Sequence, residues 1–232
     1  MELSMNHRLT VSFFKRSTVA VAKSLLGCLL VHEAKGRRTS GRIVEVEAYL
    51  PKNDPGCHAA RGLTRRNKPM YGPPGRAYVY FCYGNHDLFN VVTEREGVPG
   101  AVLVRALQPV EGLSTMIGRR WGIPKIPSRS SRLRGEKVLG GLTNGPGKLT
   151  RALDIDRHRH NGADLLNGPL RVESGGLNRG ETVGVTTRIG ITEGFGLPLR
   201  FYIEGHPCLS VKPGRDRPSP GRKKILKGAG GR

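Results

Sequence analysis

Residues 41–49, Gly-Arg-Ile-Val-Glu-Val-Glu-Ala-Tyr, contain the side chains with the clearest capacity for chemistry. Apolar and polar residues alternate along this run, which predicts a β-strand whose side chains point to opposite faces in turn. The apolar residues then face a core, whereas Glu45, Glu47 and Tyr49 share the other face. A carboxylate beside an aromatic ring can activate water and stabilise positive charge, so this face is a candidate catalytic surface.

The same alternation also fits a half-buried strand whose acidic face lies in solvent. The loop that follows the strand favours the catalytic interpretation. It returns His58 toward an acidic and aromatic face in a very basic protein.

A second aromatic run, Tyr-Val-Tyr-Phe-Cys-Tyr-Gly at 78–84, predicts a strand that ends in a turn. Tyr78 and Tyr80 share one face of that strand, and core packing is the simpler interpretation of Tyr78. Tyr83 lies beside the turn glycine, from which it could project as a hairpin tip. Aromatic side chains on a basic surface can stack on bases or wedge between base pairs.

The charge balance indicates a polyanionic partner. Lysine and arginine number 39 against 18 acidic residues, which gives a net charge of +21. Each phosphate that such a protein neutralises releases condensed counterions, so the excess favours nucleic-acid binding. A ribosomal-type RNA binder, or a chain adapted to an arginine-rich host composition, would show the same excess.

The cysteines and the apolar runs predict a soluble, cytoplasmic protein. The four cysteines form no CxxC pair, which is typical of free thiols in a reducing compartment. No run approaches the roughly 20 apolar residues of a membrane span. The histidines and cysteines near the tyrosine run lack paired zinc-ligand spacing, so we expect no metal site there; these are Cys57, His58, Cys82 and His86.

The remaining sequence predicts short elements separated by turns. A long loop at 51–74 follows the first run, and a polar, basic segment lies at 118–140. The predicted helices cover 17–26 (capped by Ser17), 109–117 and a segment starting at 144–146. The predicted strands are 28–32, 39–50, 76–83, 101–106, 170–173, 183–191 and 199–203.

Several of these runs together resemble the alkyladenine (3-methyladenine) DNA glycosylase family. The resemblance covers about residues 8–212, in order and with compatible spacing. Its motifs are Arg-Ile-Val-Glu-Val-Glu-Ala-Tyr-Leu at 42–50, Cys-His at 57–58, Thr-Arg-Arg-Asn at 64–67, Tyr-Val-Tyr at 78–80 with Tyr-Gly at 83–84, Asn90, Val-Leu-Val-Arg-Ala-Leu at 102–107, Leu-Thr-Asn-Gly-Pro-Gly-Lys-Leu at 142–149 and Leu-Arg-Phe-Tyr at 199–202.

The resemblance implies catalytic roles for Glu47 and Arg105. Glu47 would be the general base that positions and deprotonates the water attacking the anomeric carbon, and Arg105 would help to hold that water. Tyr49 and Tyr80 would be the walls between which the extruded base stacks.

The resemblance also implies three further contacts. His58 would hydrogen-bond the base edge and a backbone phosphate, and Asn90 would discriminate against the exocyclic amino group of guanine. Tyr83 would enter the minor groove and fill the vacated stack. Cys57, Asn85 and Asp87 depart from the family pattern as we expect it.

The implied protein is a monofunctional DNA glycosylase that starts base excision repair. It would flip alkylated or deaminated purines out of double-stranded DNA and hydrolyse the N-glycosidic bond, as a monomer and without metal or organic cofactor. No amine nucleophile is matched, so no strand cleavage is expected. The implied fold is a single compact α+β domain at 1–212, with a curved, mostly antiparallel sheet and peripheral helices, followed by a disordered basic tail at 213–232.

Two alternatives share the basic charge. A non-catalytic binder of damaged or distorted DNA would keep the Tyr83 wedge but would not need Glu47, Arg105 and Tyr49 together. A sequence-tolerant RNA-binding protein would prefer single strands or A-form helices and would not need an extruded base.

Overall fold

A curled antiparallel sheet organises the chain. The computed structural model describes residues 8–82, 84–122 and 141–214. Within these residues the sheet has the order β3-β4-β5-β2-β1-β6, with β8 paired to β2 and β7 paired to β8. The strands are β1 (Leu29–Ala34), β2 (Arg37–Tyr49), β3 (Ala77–Cys82), β4 (His86–Thr93), β5 (Gly100–Glu111), β6 (Leu170–Glu173), β7 (Val183–Thr186) and β8 (Arg200–Ile203).

The central strand β2 pairs with three neighbours. One edge follows β5 along most of its length. The other edge pairs first with β1, from Arg37 to Arg42, and then with β8, from Glu45 to Glu47. The sheet curls into a half-barrel around β2, which confirms the expected curved, mostly antiparallel sheet.

The helices cover one face of this sheet. Those described are α1 (Val11–Phe14), α2 (Thr18–Leu25), α3 (Leu113–Trp121), α4 (Pro146–Leu153) and α5 (Arg157–His160). A 3₁₀ helix at Lys68–Tyr71 contributes instead to the smaller cluster on the cavity side. The main core packs the apolar side of β2 against α2 and α4, and it includes Val44, Val46, Val104, Phe89, Leu25 and Leu149. Its residues form one continuous cluster, so the described chain is a single α+β domain.

A second, smaller cluster lies apart from the main core. Its buried members are Cys57, Ala59, Met70, Tyr78, Val92 and Ala101, and Tyr49, Tyr71 and Tyr80 pack against them. The segment between β2 and β3 supplies four of these residues and so covers this part of the sheet.

The predicted helix at 109–117 is wrong in position. Strand β5 continues to Glu111, and α3 starts at Leu113. Gly112 makes the turn between them, with φ at 73° and with Thr39 so close that a Cβ would lie 2.7 Å from its Cγ2. Only glycine tolerates this conformation and approach, so the strand ends there and not at Pro109.

Two strand predictions also change. Strand β7 ends at Thr186, because Arg188 and Ile189 leave the sheet to contact buried carboxylates. The predicted strands also lack β4, which starts at His86, two residues after the turn glycine Gly84.

Candidate active site

A cavity of about 260 Å³ opens beside the second cluster. Five of the predicted site residues line it together, although they come from four strands and a loop. These five are Tyr49, His58, Tyr80, Asn90 and Arg105. The sixth, Glu47, contacts two of them and is fully buried.

Glu47 is held by donors on both carboxylate oxygens. Its Oε1 accepts the Ile189 backbone N–H at 2.7 Å and lies 3.1 Å from Arg105 Nη1. Its Oε2 accepts the Tyr49 hydroxyl at 2.9 Å. All three partners line the cavity, so the carboxylate lies directly behind the cavity wall. The alternative with this face in solvent is therefore wrong.

Arg105 connects Glu47 to a second carboxylate, that of Glu45. Its Nε donates to Glu45 Oε1 at 3.0 Å, and Arg200 Nε donates to the same oxygen at 2.9 Å. Ser210 closes the network with its backbone N–H, 2.6 Å from Glu45 Oε2. Burial acts to lower the pKa of Arg105, but Glu47 and Glu45 outweigh it, so this pKa lies above its ordinary value and the guanidinium stays charged.

Aromatic rings form the walls of the cavity. The rings of Tyr78 and Tyr80 are 5.3 Å apart, and the ring of His58 is 4.6 Å from that of Tyr80. Burial raises the pKa of Tyr49, with Glu47 adding to the shift, and burial also raises that of Tyr80. These phenols therefore remain protonated at neutral pH.

His58 and Tyr78 form a hydrogen-bonded pair, with His58 Nδ1 2.9 Å from the Tyr78 hydroxyl oxygen. The His58 residue is partly exposed, but desolvation of its imidazole against the tyrosine rings, with a smaller contribution from Arg66, lowers its pKa to about 4. Burial raises the pKa of Tyr78 to about 12. The imidazole is therefore neutral at pH 7. Tyr78 is buried in the small cluster, as expected, but it also lines the cavity.

Asn90 is 2% exposed and lies in β4 beside Tyr78. Its Nδ2 donates to the Tyr78 backbone carbonyl at 3.0 Å, which fixes the orientation of the carboxamide at the cavity wall. The predicted pocket residue is thus held by the strand next to it.

The comparison with known proteins decides the family. The family profile described as methylpurine-DNA glycosylase matches residues 12–207, which is most of the chain. The chain belongs to the methylpurine-DNA glycosylase family. Its enzymatic class is that of a DNA glycosylase, a hydrolase of N-glycosyl bonds.

Relatives from distant organisms support this assignment over nearly their whole length. A protein of Methanoculleus marisnigri is 50% identical over 205 residues, covering 87% of this chain and 98% of the relative. One from Carboxydothermus hydrogenoformans is 47% identical over 201 residues, covering 86% and 97%. One from Chlorobaculum tepidum is 42% identical over 222 residues, covering 95% and 97%. All three bear the provisional name 3-methyladenine DNA glycosylase.

The hairpin of β3 and β4 rests on helix α4. A Cβ on Gly147 would lie 2.6 Å from His86 Cγ, so the helix and the hairpin touch at a glycine. The Thr150 hydroxyl donates to the Asp87 carbonyl at 2.8 Å. Asp87 Oδ1 is buried without a hydrogen-bond partner in the described chain. Tyr83, the predicted wedge, lies outside the described residues.

Other basic segments are described in part. Of the polar segment at 118–140, only 118–122 is described, and of the tail at 213–232 only 213–214. Over the same described ranges, no three histidine, cysteine or acidic side chains converge as a metal site would require. No described helix is long and apolar enough to cross a membrane.

Asp54 and Arg188 are neighbours of the site that the sequence did not reveal. Asp54 lies in the loop after β2, and Arg188 follows β7, 134 residues further along the chain. Their side chains pair behind Tyr49, and the Ile189 amide on Glu47 comes directly after Arg188. No local pattern marks such a pair, because each residue lies in an irregular loop.

Proposed function

We propose that this protein is a monofunctional DNA glycosylase that removes alkylated purines from double-stranded DNA and so starts base excision repair. The purine is flipped out of the duplex and enters the cavity between Tyr49 and Tyr80. Water then hydrolyses the bond between the base and the sugar. The observation that carries this proposal is a buried carboxylate, Glu47, held directly behind an aromatic cavity of about 260 Å³.

Glu47 acts as the general base. Its Oε2 accepts the Tyr49 hydroxyl, and a carboxylate oxygen has a further lone pair that can accept a proton from water. The C1′–N bond breaks with its electron pair leaving on the purine, and the water oxygen bonds to C1′ while its proton passes to Glu47. The negative charge also stabilises the oxocarbenium-like transition state, as in sugar hydrolysis. Arg105 fixes the carboxylate from the other oxygen.

The cavity favours a purine that already carries positive charge. A purine alkylated at N3 or N7 is cationic, which makes it a good leaving group and allows it to stack on electron-rich tyrosine rings. A neutral, deaminated purine needs a proton on the leaving base. The His58 imidazole, whose pKa is about 4, is neutral at pH 7 and does not supply it. We therefore propose deaminated purines as a slower, second substrate class.

Three cations on or beside α4 support binding to the DNA backbone, namely Lys148, Arg151 and Arg120. Lys148 and Arg151 lie one turn apart on α4, and Arg151 Nε donates to the Arg119 carbonyl at 3.0 Å, next to Arg120. Burial lowers the pKa of Lys148 and of Arg120, with Arg120 and Arg151 respectively adding to the shift. Within the described ranges none of these three cations pairs with a carboxylate, so phosphates would relieve their repulsion. We infer that the protein binds the DNA as a monomer. Tyr83 would fill the gap that the flipped base leaves in the stack.

The product is an abasic site with an intact strand. A lyase step needs an amine nucleophile, and no lysine occurs among the residues that line the described cavity.

The test is a single-turnover assay on duplexes that each hold one lesion, 3-methyladenine or hypoxanthine. Free base is measured, and an alkali-free gel scores strand nicks. We expect rapid release of 3-methyladenine, slower release of hypoxanthine and no nicks. Tight binding without release from either duplex would contradict the proposal and favour a non-catalytic damage binder. The affinity should fall with salt, by about 0.9 logarithmic units per tenfold increase for each neutralised phosphate.

A further inference from the structure

The ion pair formed by Arg188 and Asp54 is completely buried beside the cavity. Both side chains are 0% exposed. The pair is bidentate, with Arg188 Nη1 2.7 Å from Asp54 Oδ2 and Nη2 2.5 Å from Oδ1. The carboxylate also accepts the backbone N–H groups of Leu50 and Gly56, at 2.9 and 3.1 Å. Every oxygen of Asp54 is therefore satisfied in one geometry.

Arg188 also binds the end of β2 where the candidate site begins. Its Nη1 donates to the Ala48 carbonyl at 3.0 Å, and its guanidinium carbon lies 4.6 Å from the centroid of the Tyr49 ring. Tyr49 lines the cavity and Arg188 does not, so the guanidinium supports this wall from behind.

The backbone after Arg188 reaches the carboxylate itself. The Ile189 N–H donates to Glu47 Oε1 at 2.7 Å. One locked side chain therefore determines the position of two groups around Glu47, namely the Tyr49 ring, whose hydroxyl binds Oε2, and the Ile189 amide, which binds Oε1.

We propose that Arg188, held by Asp54, is a positioning residue for base removal, acting through Tyr49 and the Ile189 amide to orient Glu47. The inference rests on the proposed function. Asp54 also has a second role in base removal, because its negative charge offsets the positive charge of the guanidinium behind Tyr49. The ring then keeps its attraction for a cationic base on its other face.

A purely structural pair offers the matched comparison. Arg42 binds Glu181 in the same bidentate manner, with Nη1–Oε1 at 2.9 Å and Nη2–Oε2 at 2.5 Å. Arg42 is also buried, and neither residue lines the cavity. Loss of Arg42 therefore removes a similar ion pair from the fold without touching Tyr49 or Glu47.

The experiment measures single-turnover release of 3-methyladenine from duplex DNA by wild type, Arg188→Met and Arg42→Met, from pH 5 to pH 9. Enzyme is saturating, and the folded fraction is checked by thermal unfolding. Arg188→Met should lower the rate at least about tenfold, since small displacements of reacting groups have effects of this size or larger. Its acid limb should also change, because the Ile189 N–H is no longer held in one position on Glu47 Oε1. Arg42→Met should keep the wild-type rate and acid limb per folded molecule.

Equal rates for Arg188→Met and wild type, an unchanged acid limb, or an equal loss in Arg42→Met would each overturn the inference. If Arg188→Met does not fold, Arg188→Lys decides, because it keeps the charge without the planar fork. It should show a smaller loss of rate and a smaller change of the acid limb, and wild-type behaviour would overturn the inference. Wild-type protein that releases no base would instead contradict the proposed function.

Discussion

Both faces of β2 are buried, one among apolar side chains and the other among ion pairs and hydrogen bonds. On the helix side, Val44 and Val46 pack among aliphatic residues of α2 and α4. On the cavity side, Glu45 and Glu47 are equally inaccessible, yet each needs arginine and backbone donors. Buried ion pairs are weak sources of stability, because desolvation offsets much of their attraction. Stability alone would be served by apolar residues on both faces, so we interpret the charged face as one maintained for function.

The largest effect on folding should come from Glu45→Gln. This change leaves Arg105 and Arg200 without the carboxylate they share, and breaking a buried ion pair costs about 3–5 kcal/mol. Urea unfolding measures the loss. The control is Glu33→Gln, whose side chain is 47% exposed and pairs with Arg38 and Arg171. Its loss should stay near or below about 1 kcal/mol. Equal losses in the two variants would remove the distinction between buried and exposed charge.

A comparable change on the helix face should separate stability from activity. Leu25→Ala removes a fully buried side chain of α2 and should cost about 2–5 kcal/mol. No residue of α2 lines the cavity in the described chain, so base release per folded molecule should stay at the wild-type rate. A fall in that rate larger than the fall in folded fraction would show that the two faces are not independent.

A smaller effect on folding stability depends on pH and comes from His58, on the cavity side. The pKa of His58 falls from 6.5 to about 4 in the folded protein, through desolvation of the partly exposed imidazole and then through Arg66. Between those pH values the unfolded chain binds a proton that the folded chain does not. The contribution of His58 to stability is therefore complete above pH 6.5 and is lost as the pH falls toward 4.

Arg66→Met should move the pKa of His58 back toward 6.5, because one source of repulsion is gone. NMR titration of the imidazole ring measures this directly. Arg61→Met is the control, since Arg61 lies in the same loop, is 85% exposed and pairs with Glu193. A shift of the same size in both variants would assign the effect to general charge and not to Arg66.

Local patterns in the sequence predicted the acidic and aromatic face of β2, whereas Arg105 and Asn90 came only from the family resemblance. Alternation placed Glu45, Glu47 and Tyr49 on one face, and the structure confirms it. Alternation does not say whether that face is covered. The cover comes from loops that lie far away in sequence and have no periodicity, so neither the burial of Glu45 nor its ion pairs could be inferred.

The missed features have the same origin. Arg188 and Asp54 meet only through the tertiary fold, and the predicted strand at 183–191 was too long because Arg188 turns inward to that partner. Pro109 suggested a helix start, but the chain remains in β5 until the positive φ of Gly112. The role of Tyr83 as a wedge stays a prediction.

Single-turnover release of 3-methyladenine by Glu47→Gln, beside Val46→Ala from the opposite face of the same strand, tests the central claim most directly. Glutamine keeps the shape of the side chain but cannot take a proton from water. We predict that Glu47→Gln binds lesion DNA with near wild-type affinity and releases no base, whereas Val46→Ala is less stable and releases base at the wild-type rate per folded molecule. Release by Glu47→Gln at the wild-type rate would contradict the account.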